Sequence, residues 1–318
     1  MKDFALIGAA GYIAPQHMKA IKETGNTLVA ALDKHDSVGI VDQYFPDTDF
    51  FVEFEIFDRH IDLLKRKGKK VDYISITSPN YLHDSHIRFA LRSGAHTICE
   101  KPLVLNPWNI DGLLTIEKES ESRIYNILQL RLHPDIITLK ERIQNELLIN
   151  SKKKYEIDLT YLTSRGHWYF TSWKGNISKS GGIATNIGIH FYDMLIWIFG
   201  NVMESYVHVN KGDTAAGYLK LEHAQVCWFL SINHEYIPDE IKKSGDRTYR
   251  SIEVEGQELE FSAGLTDLHT LSYQHILEGQ GFGLEDARKS IQLVYDIRES
   301  SITEQDEHTH PFVTKILS

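Results

Sequence analysis

The run Phe4–Ala5–Leu6–Ile7 passes without a break into Gly8–Ala9–Ala10–Gly11–Tyr12–Ile13–Ala14. A glycine-rich turn between an apolar strand and a helix narrows the fold more than any other feature of this chain. Glycine permits φ > 0 and close backbone approach, and a small Ala14 lets the helix pack against the strand. Apolar or β-branched runs, expected as strands at 4–7, 28–32, 71–76, 96–99 and 124–128, alternate with helical patterns near 13–24, 57–67, 82–93 and 109–122. Gly25, Gly68 and Gly94 stand where a helix C-cap wants a left-handed residue. This alternation predicts parallel βαβ units and a doubly wound Rossmann sheet.

The pattern changes after Arg131. One helix near 135–148 precedes the basic loop 152–154, and closely spaced strands are expected at 155–162, 206–209, 218–221, 225–232 and 251–254. Such spacing predicts a mostly antiparallel open sheet, closed by helices near 268–277 and 284–299. The fold class is therefore α/β, with a nucleotide-binding Rossmann domain over 1–128 and an α+β domain over 129–318; two domains suit a chain of 318 residues.

Composition closes off several functions. The net charge of −10 repels nucleic-acid phosphates and anionic lipid, so no nucleic-acid or membrane partner is expected. Cys99 and Cys227 have no CxxC spacing, as suits a reducing cytoplasm. Lys2 before the apolar run 4–14 imitates a secretory signal, but Asp3, Gly8 and Gly11 weaken it. The strongest apolar stretch elsewhere, 194–199, falls far short of the roughly 20 residues needed to span a bilayer. His83 and His86 share HxxH spacing and His308 pairs with His310, yet neither has a third ligand in sequence, and no metal is expected.

Chemistry gathers at the carboxyl ends of the first-half strands. Gly8, Gly11 and the following helix N-terminus can cradle a pyrophosphate, and Asp33 ends the second strand. A carboxylate there accepts hydrogen bonds from ribose hydroxyls and repels a 2′-phosphate, which favours NAD over NADP. The plainer alternative is a tight turn, with Asp33 capping the next segment of chain. Asn80 either caps the next helix, contacts ribose, or does both. The strand 96–99 delivers Glu100–Lys101–Pro102 to the same edge, where proline bars Lys101 from helical geometry.

Together GAAGYIAPQH from Gly8, SPNYLH from Ser78, ICEKPL from Ile98 and GGIATNIGIHFYDML from Gly181 resemble the Gfo/Idh/MocA oxidoreductases, which bind NAD(P) and oxidise or reduce sugar and cyclitol carbons. The resemblance covers nearly the whole chain and implies a reaction centre made of Lys101 and His190. The family often carries aspartate one helical turn before that histidine. Here Asn186 stands there; it can position substrate but cannot take a proton, which moves the base toward His190. Asp193 is placed to orient the histidine.

Within the family, FALIGAAGYIAP, YNILQLR, DLTYLTSRGHWYFTSWKG and ATNIGIHFYDML are most similar to the branch that oxidises the C3 hydroxyl of UDP-N-acetyl-2-amino-2-deoxy-D-glucuronate, for bacterial surface-polysaccharide (O-antigen) synthesis. The resemblance implies cofactor contacts from Gly8, Ala10, Gly11, Tyr12, Ile13, Asp33, Ser78, Asn80, His83, Glu100, Lys101 and Trp168. It implies substrate contacts from Lys101, Gln129, Arg131, Arg165, Tyr169, Lys179, Asn186 and His190. Residues 151–180 hold six basic and two acidic side chains, a local excess suited to a diphosphate and a carboxylate, although Lys152, Lys153 and Lys154 read as a solvated loop. Trp168, Tyr169 and Trp173 are placed to stack on nicotinamide or uracil, or, as strand aromatics, to fill a core. The resemblance assigns substrate binding and oligomerisation to 129–318 and implies a homodimer or homotetramer. The alternatives are a dehydrogenase of another sugar or inositol, and a catalytically silent NAD-binding sensor, against which the presence of both Lys101 and His190 argues.

Overall fold

A computed structural model describes residues 1–36, 38–259 and 267–317. The chain divides into two compact units, one of Met1–Leu132 with Thr266–Arg288, the other of His133–Leu265 with Lys289–Ser318.

In the first unit six parallel strands, β1 (Asp3–Ile7), β2 (Thr27–Leu32), β3 (Asp49–Phe51), β4 (Tyr73–Ile76), β5 (His96–Cys99) and β6 (Ile124–Asn126), lie in the order β3-β2-β1-β4-β5-β6. The order reverses between β1 and β4, the position at which open α/β sheets hold their ligands, beyond the strands' carboxyl ends. Four-residue β4 is buried throughout, as a strand covered on both faces must be. Short β3 escaped the sequence pattern. Gly25, Gly68 and Gly94 do take positive φ, and Gly94 caps helix His83–Ser93 in the left-handed region.

Helix Leu268–Leu277 belongs to this unit, not to the later domain with which the sequence pattern groups it. Its Tyr273 and Ile276 complete the core formed by Phe4, Leu6, Met18 and Ile21. The physical reason is packing: the buried face of this helix sets Tyr273 and Ile276 into the core of the nucleotide-binding half.

The second unit is built on β7 (Tyr155–Thr163), β8 (Val202–Asn210), β9 (Thr214–Leu221), β10 (Ala224–Ser231), β11 (Thr248–Val254) and β12 (Gln257–Glu258), ordered β12-β11-β7-β10-β9-β8. All neighbours are antiparallel except β7 and β10. Trp168, Tyr169 and Trp173 lie not in strands but in the short turns Trp168–Thr171 and Trp173–Gly175. Lys153 pairs with Glu146 at 2.6 Å and Lys154 reaches the Glu222 carbonyl, so that loop is partly anchored.

The helical run Ile177–Phe199, which contains the strongest apolar stretch 194–199, is, among the described residues, long and apolar enough by composition to cross a membrane. Most of it is buried inside the unit, as in a core helix.

Each unit carries a buried imidazole that resists protonation. Burial pushes His86 and His310 down to about 4, with His83 adding to the effect at His86. An unfolded histidine takes its proton near 6.5. Their contribution is therefore complete above about pH 6.5 and is lost as pH falls toward 4. Thermal melts should be nearly level above about pH 7 and drop steeply below 6.5, by on the order of 1.4 kcal/mol per pH unit for each imidazole. A level profile down to pH 4 would contradict these assignments.

Candidate active site

The glycine turn is shaped by its neighbours before any ligand arrives. Gly8 sits at φ +94°, and a Cβ there would lie 2.7 Å from both Ser78 N and Thr77 C. The β1 and β4 loops thus approach backbone to backbone. The helix Ala14–Glu23 opens with Pro15 in its first turn and no side-chain cap. Among the described residues the N–H groups of Tyr12 and Ile13 find no acceptor, leaving donors for an anion at the helix start. Tyr12 itself is 97% exposed.

Asp33 follows β2. Its Oδ2 accepts from Ala10 N and its Oδ1 from His35 N, each at 3.0 Å. Each carboxylate oxygen keeps a lone pair for a ribose hydroxyl. Ser78 and Asn80 are buried beyond β4. Asn80 opens the 3-10 turn Asn80–Leu82 and does not cap helix His83–Ser93, whose N-cap position is Leu82. These features fit a dinucleotide.

His83 spans two of these loops. Its Nδ1 lies 2.7 Å from Pro102 O and its Nε2 2.8 Å from Ser78 O. Both partners are acceptors, so the ring donates to both only as imidazolium. Burial opposes that charge and lowers the imidazole pKa, while the carbonyls and Glu100 push it back up.

Lys101 follows β5 and is half-buried, and its bond to Pro102 is cis. Glu100 is buried, and its carboxylate is engaged inside the protein. Oε1 meets His17 Nε2 at 3.0 Å and His269 Nε2 at 2.9 Å, and Oε2 accepts from Lys101 N at 3.1 Å. His17 Nδ1 meets the Tyr273 hydroxyl at 2.8 Å, which in turn meets Ser75 Oγ at 2.6 Å. Burial alone would raise the Glu100 carboxyl; the two imidazole donors outweigh it and hold it well below the usual carboxylate range. Sequence reasoning missed His17 and His269. The one available signal was His17 on the buried stripe of helix Ala14–Glu23, beside Ala14, Met18 and Ile21.

Of the other residues assigned to substrate in the first unit, Gln129 has a buried Oε1 without a partner among the described residues, as suits a ligand contact. Arg131 is different. It is 7% exposed, pairs with Asp286 Oδ1 at 3.1 Å and the Asp286 carbonyl at 3.0 Å, and stacks over Phe282. Its guanidinium holds the returning segment in place, a structural role that stands beside the substrate assignment. On the structural role alone, Arg131→Met should cost about 2 kcal/mol of stability, the value of hydrogen bonds to a charged group, and leave the KM for substrate within about twofold. A rise in KM of tenfold with an unchanged melting temperature would favour the substrate role instead.

In the second unit Asn186 lies in a π-helical turn, Ala184–Gly188, directly before helix Ile189–Phe199, which begins one residue before His190. The expected regular α-helix is therefore interrupted where the chemistry sits, a common place for such turns. Asn186 Nδ2 donates to the buried Tyr169 hydroxyl at 2.8 Å. Burial raises the Tyr169 phenol, against Asn186 and nearby Arg165. Arg165, Trp168 and Lys179 are exposed, His190 is half-buried and Asp193 is buried.

Among the described residues one group of His, Cys or acidic side chains is close enough to hold a metal: His17, Glu100 and His269, with ligand atoms within 4.8 Å of one another. Neither His83 with His86 nor His308 with His310 joins such a group.

The oxidoreductase family model for the NAD-binding Rossmann fold matches residues 2–127, and that for the C-terminal alpha/beta domain matches 140–240. The chain belongs to the Gfo/Idh/MocA oxidoreductase family. This oxidoreductase is similar to the WlbA (WbpB) dehydrogenase of Thermus thermophilus, solved with NAD and alpha-ketoglutarate and also with NAD and UDP-GlcNAcA. The two are 49% identical, with 98% of this chain and 100% of that one covered, at a TM-score of 0.93. The WlbA dehydrogenase of Bordetella pertussis, at 19% identity, 93% and 94% coverage and a TM-score of 0.74, shares the fold. The curated D-glucoside 3-dehydrogenase of Escherichia coli is 27% identical over 134 residues, 41% of this chain, which thus spans 36% of that relative.

Proposed function

We propose that this oxidoreductase uses NAD to oxidise the C3 hydroxyl of UDP-N-acetyl-2-amino-2-deoxy-D-glucuronate to the 3-keto sugar. The observation that carries the reading is the 49% identity, over the full length of the other chain, to a dehydrogenase solved with NAD and UDP-GlcNAcA. The glycine turn, the open amides of Tyr12 and Ile13, and Asp33 support NAD as the cofactor. In this reading residues 1–128 bind the cofactor, and 129–318 bind the sugar and carry the oligomer contacts.

NAD, when bound, supplies the acceptor for the hydride that leaves the carbinol carbon. The Lys101 ammonium stabilises the oxygen as it becomes an alkoxide. His190 takes the hydroxyl proton on an imidazole nitrogen. Asn186, fixed by Tyr169, orients the sugar. Gln129, Arg165 and Lys179 supply contacts to its polar and anionic groups, and Trp168 a stacking surface.

The alpha-ketoglutarate complex of the relative supports recycling in place, in which the 2-oxo acid takes the hydride and a proton to become the 2-hydroxy acid. An O-antigen role, a cytoplasmic location and a homodimer or homotetramer complete the proposal. The test is absorbance at the NADH band with a panel of UDP-sugars, with and without 2-oxoglutarate. NADH should accumulate with the UDP-uronate alone and fail to accumulate once 2-oxoglutarate is present. Turnover of a free sugar or inositol, without the UDP-uronate, would favour the alternative substrate class. Sedimentation as a monomer at assay concentration would remove the oligomer.

A further inference from the structure

Glu100 and Lys101 are neighbours in the chain, and every polar contact around the glutamate bears on how the lysine is held. Two imidazoles, from helices Ala14–Glu23 and Leu268–Leu277, converge on Oε1, while Oε2 takes the backbone N–H of Lys101. Burial disfavours a charged His17, and with a neutral ring the hydrogen-bond chain runs in one direction. Ser75 donates to Tyr273, Tyr273 donates to His17 Nδ1, and His17 Nε2–H donates to Glu100. A neutral His17 and an ionised Glu100 satisfy every member, and burial of the ring together with the two imidazole donors on the carboxylate favours this state. On the far side of Lys101, His83 grips the Pro102 carbonyl.

A metal shared by His17, Glu100 and His269 is the competing reading. The ring nitrogens lie 2.9 and 3.0 Å from a single carboxylate oxygen, in hydrogen-bond geometry, so they are directed at that oxygen. Ligands of a common ion would aim at a point between all three atoms instead.

We propose that His17 and His269 are positioning residues for Lys101, acting through Glu100: their two N–H donors fix an ionised carboxylate that anchors the Lys101 backbone and places a constant negative charge one residue from the ammonium. The inference rests on the reading that Lys101 serves the reacting hydroxyl. The groups facing Glu100 are His17, His269 and Tyr273 from their two helices, His83 from helix His83–Ser93, and Cys99 and Lys101 from its own segment. Burial pushes the Cys99 and Tyr273 protons firmly on, so neither competes for charge.

The experiment compares His269→Leu, which removes a donor, with His269→Gln, which keeps a side-chain N–H within reach of Glu100. His269→Leu should lower kcat by about ten- to a hundredfold near neutral pH with KM within about threefold. His269→Gln should recover most of the loss. With one donor gone the Glu100 carboxyl binds its proton at higher pH, so the deficit of His269→Leu relative to wild type should deepen toward acid pH. A loss uniform across pH, or equal losses in the two variants, would overturn the proposal. So would activity lost on chelation and restored by Zn²⁺.

A wild-type enzyme inactive on the UDP-uronate would instead remove the function, and the clasp is then read without turnover. In protein carrying ¹³C at glutamate carboxyls, the Glu100 signal should stay ionised through mild acid in the wild type and titrate at higher pH in His269→Leu. An ordinary glutamate titration in the wild type would overturn it.

Discussion

Lys101→Ala and His190→Asn should each bind NAD within about threefold of wild type yet form NADH from the UDP-uronate a hundred- to ten-thousandfold more slowly, roughly the range for losing an oxyanion stabiliser or a general base. Alanine leaves the developing alkoxide without a cation. Asparagine keeps hydrogen-bonding atoms at 190 but cannot accept a proton near neutral pH. The losses belong in kcat, because both groups act on charge that appears only as hydride leaves. If both variants turned over like wild type, the assigned roles would fall. The silent-sensor alternative predicts instead that neither substitution changes any measured property beyond NAD binding, because it has no turnover to lose.

Gly8→Ala should be the most damaging single methyl in the cofactor turn. At φ +94° an alanine carries strain of about 1–3 kcal/mol. Its Cβ would also stand 2.7 Å from backbone atoms of Thr77 and Ser78, which cannot swing aside as a flexible side chain would. Relief requires the two loops to part, which displaces the amides of Tyr12 and Ile13. We expect NAD affinity to fall at least about tenfold and the melting temperature to drop by several degrees. Gly25→Ala is the control: φ is +75° but nothing lies within 4 Å of its Cβ. It should carry the conformational cost alone, with NAD affinity unchanged. Equal affinities in the two variants would show that close approach at Gly8 is irrelevant to the cofactor.

The parallel half of the fold was legible because strand and helix periods alternate cleanly from residue 4 onward, and because glycine, aspartate and Glu100–Lys101–Pro102 each close a strand. What stayed hidden depends on contacts distant in sequence. Three-residue β3 is too short to show a period. The π turn at Ala184–Gly188 inserts one residue into an apolar helix whose composition does not change. The pairing of Arg131 with Asp286 was hidden because the two lie 155 positions apart. His17 and His269 meet the same carboxylate oxygen although neither is near Glu100 in the chain. Trp168 and Tyr169 sit in a four-residue turn whose aromatic content imitates a strand.

The return of Thr266–Arg288 to the first unit sets the order in which that unit can mature during synthesis. When the ribosome has made only the first 132 residues, Phe4 and Met18 still lack the ring of Tyr273, and Glu100 has one imidazole where it needs two. The nucleotide-binding half therefore stays unfinished while the intervening sheet is translated, and it locks only after the emerging chain has supplied its last helix. A gene fragment cut after the sixth strand encodes the glycine turn, Asp33 and Lys101, yet not the protein that holds them.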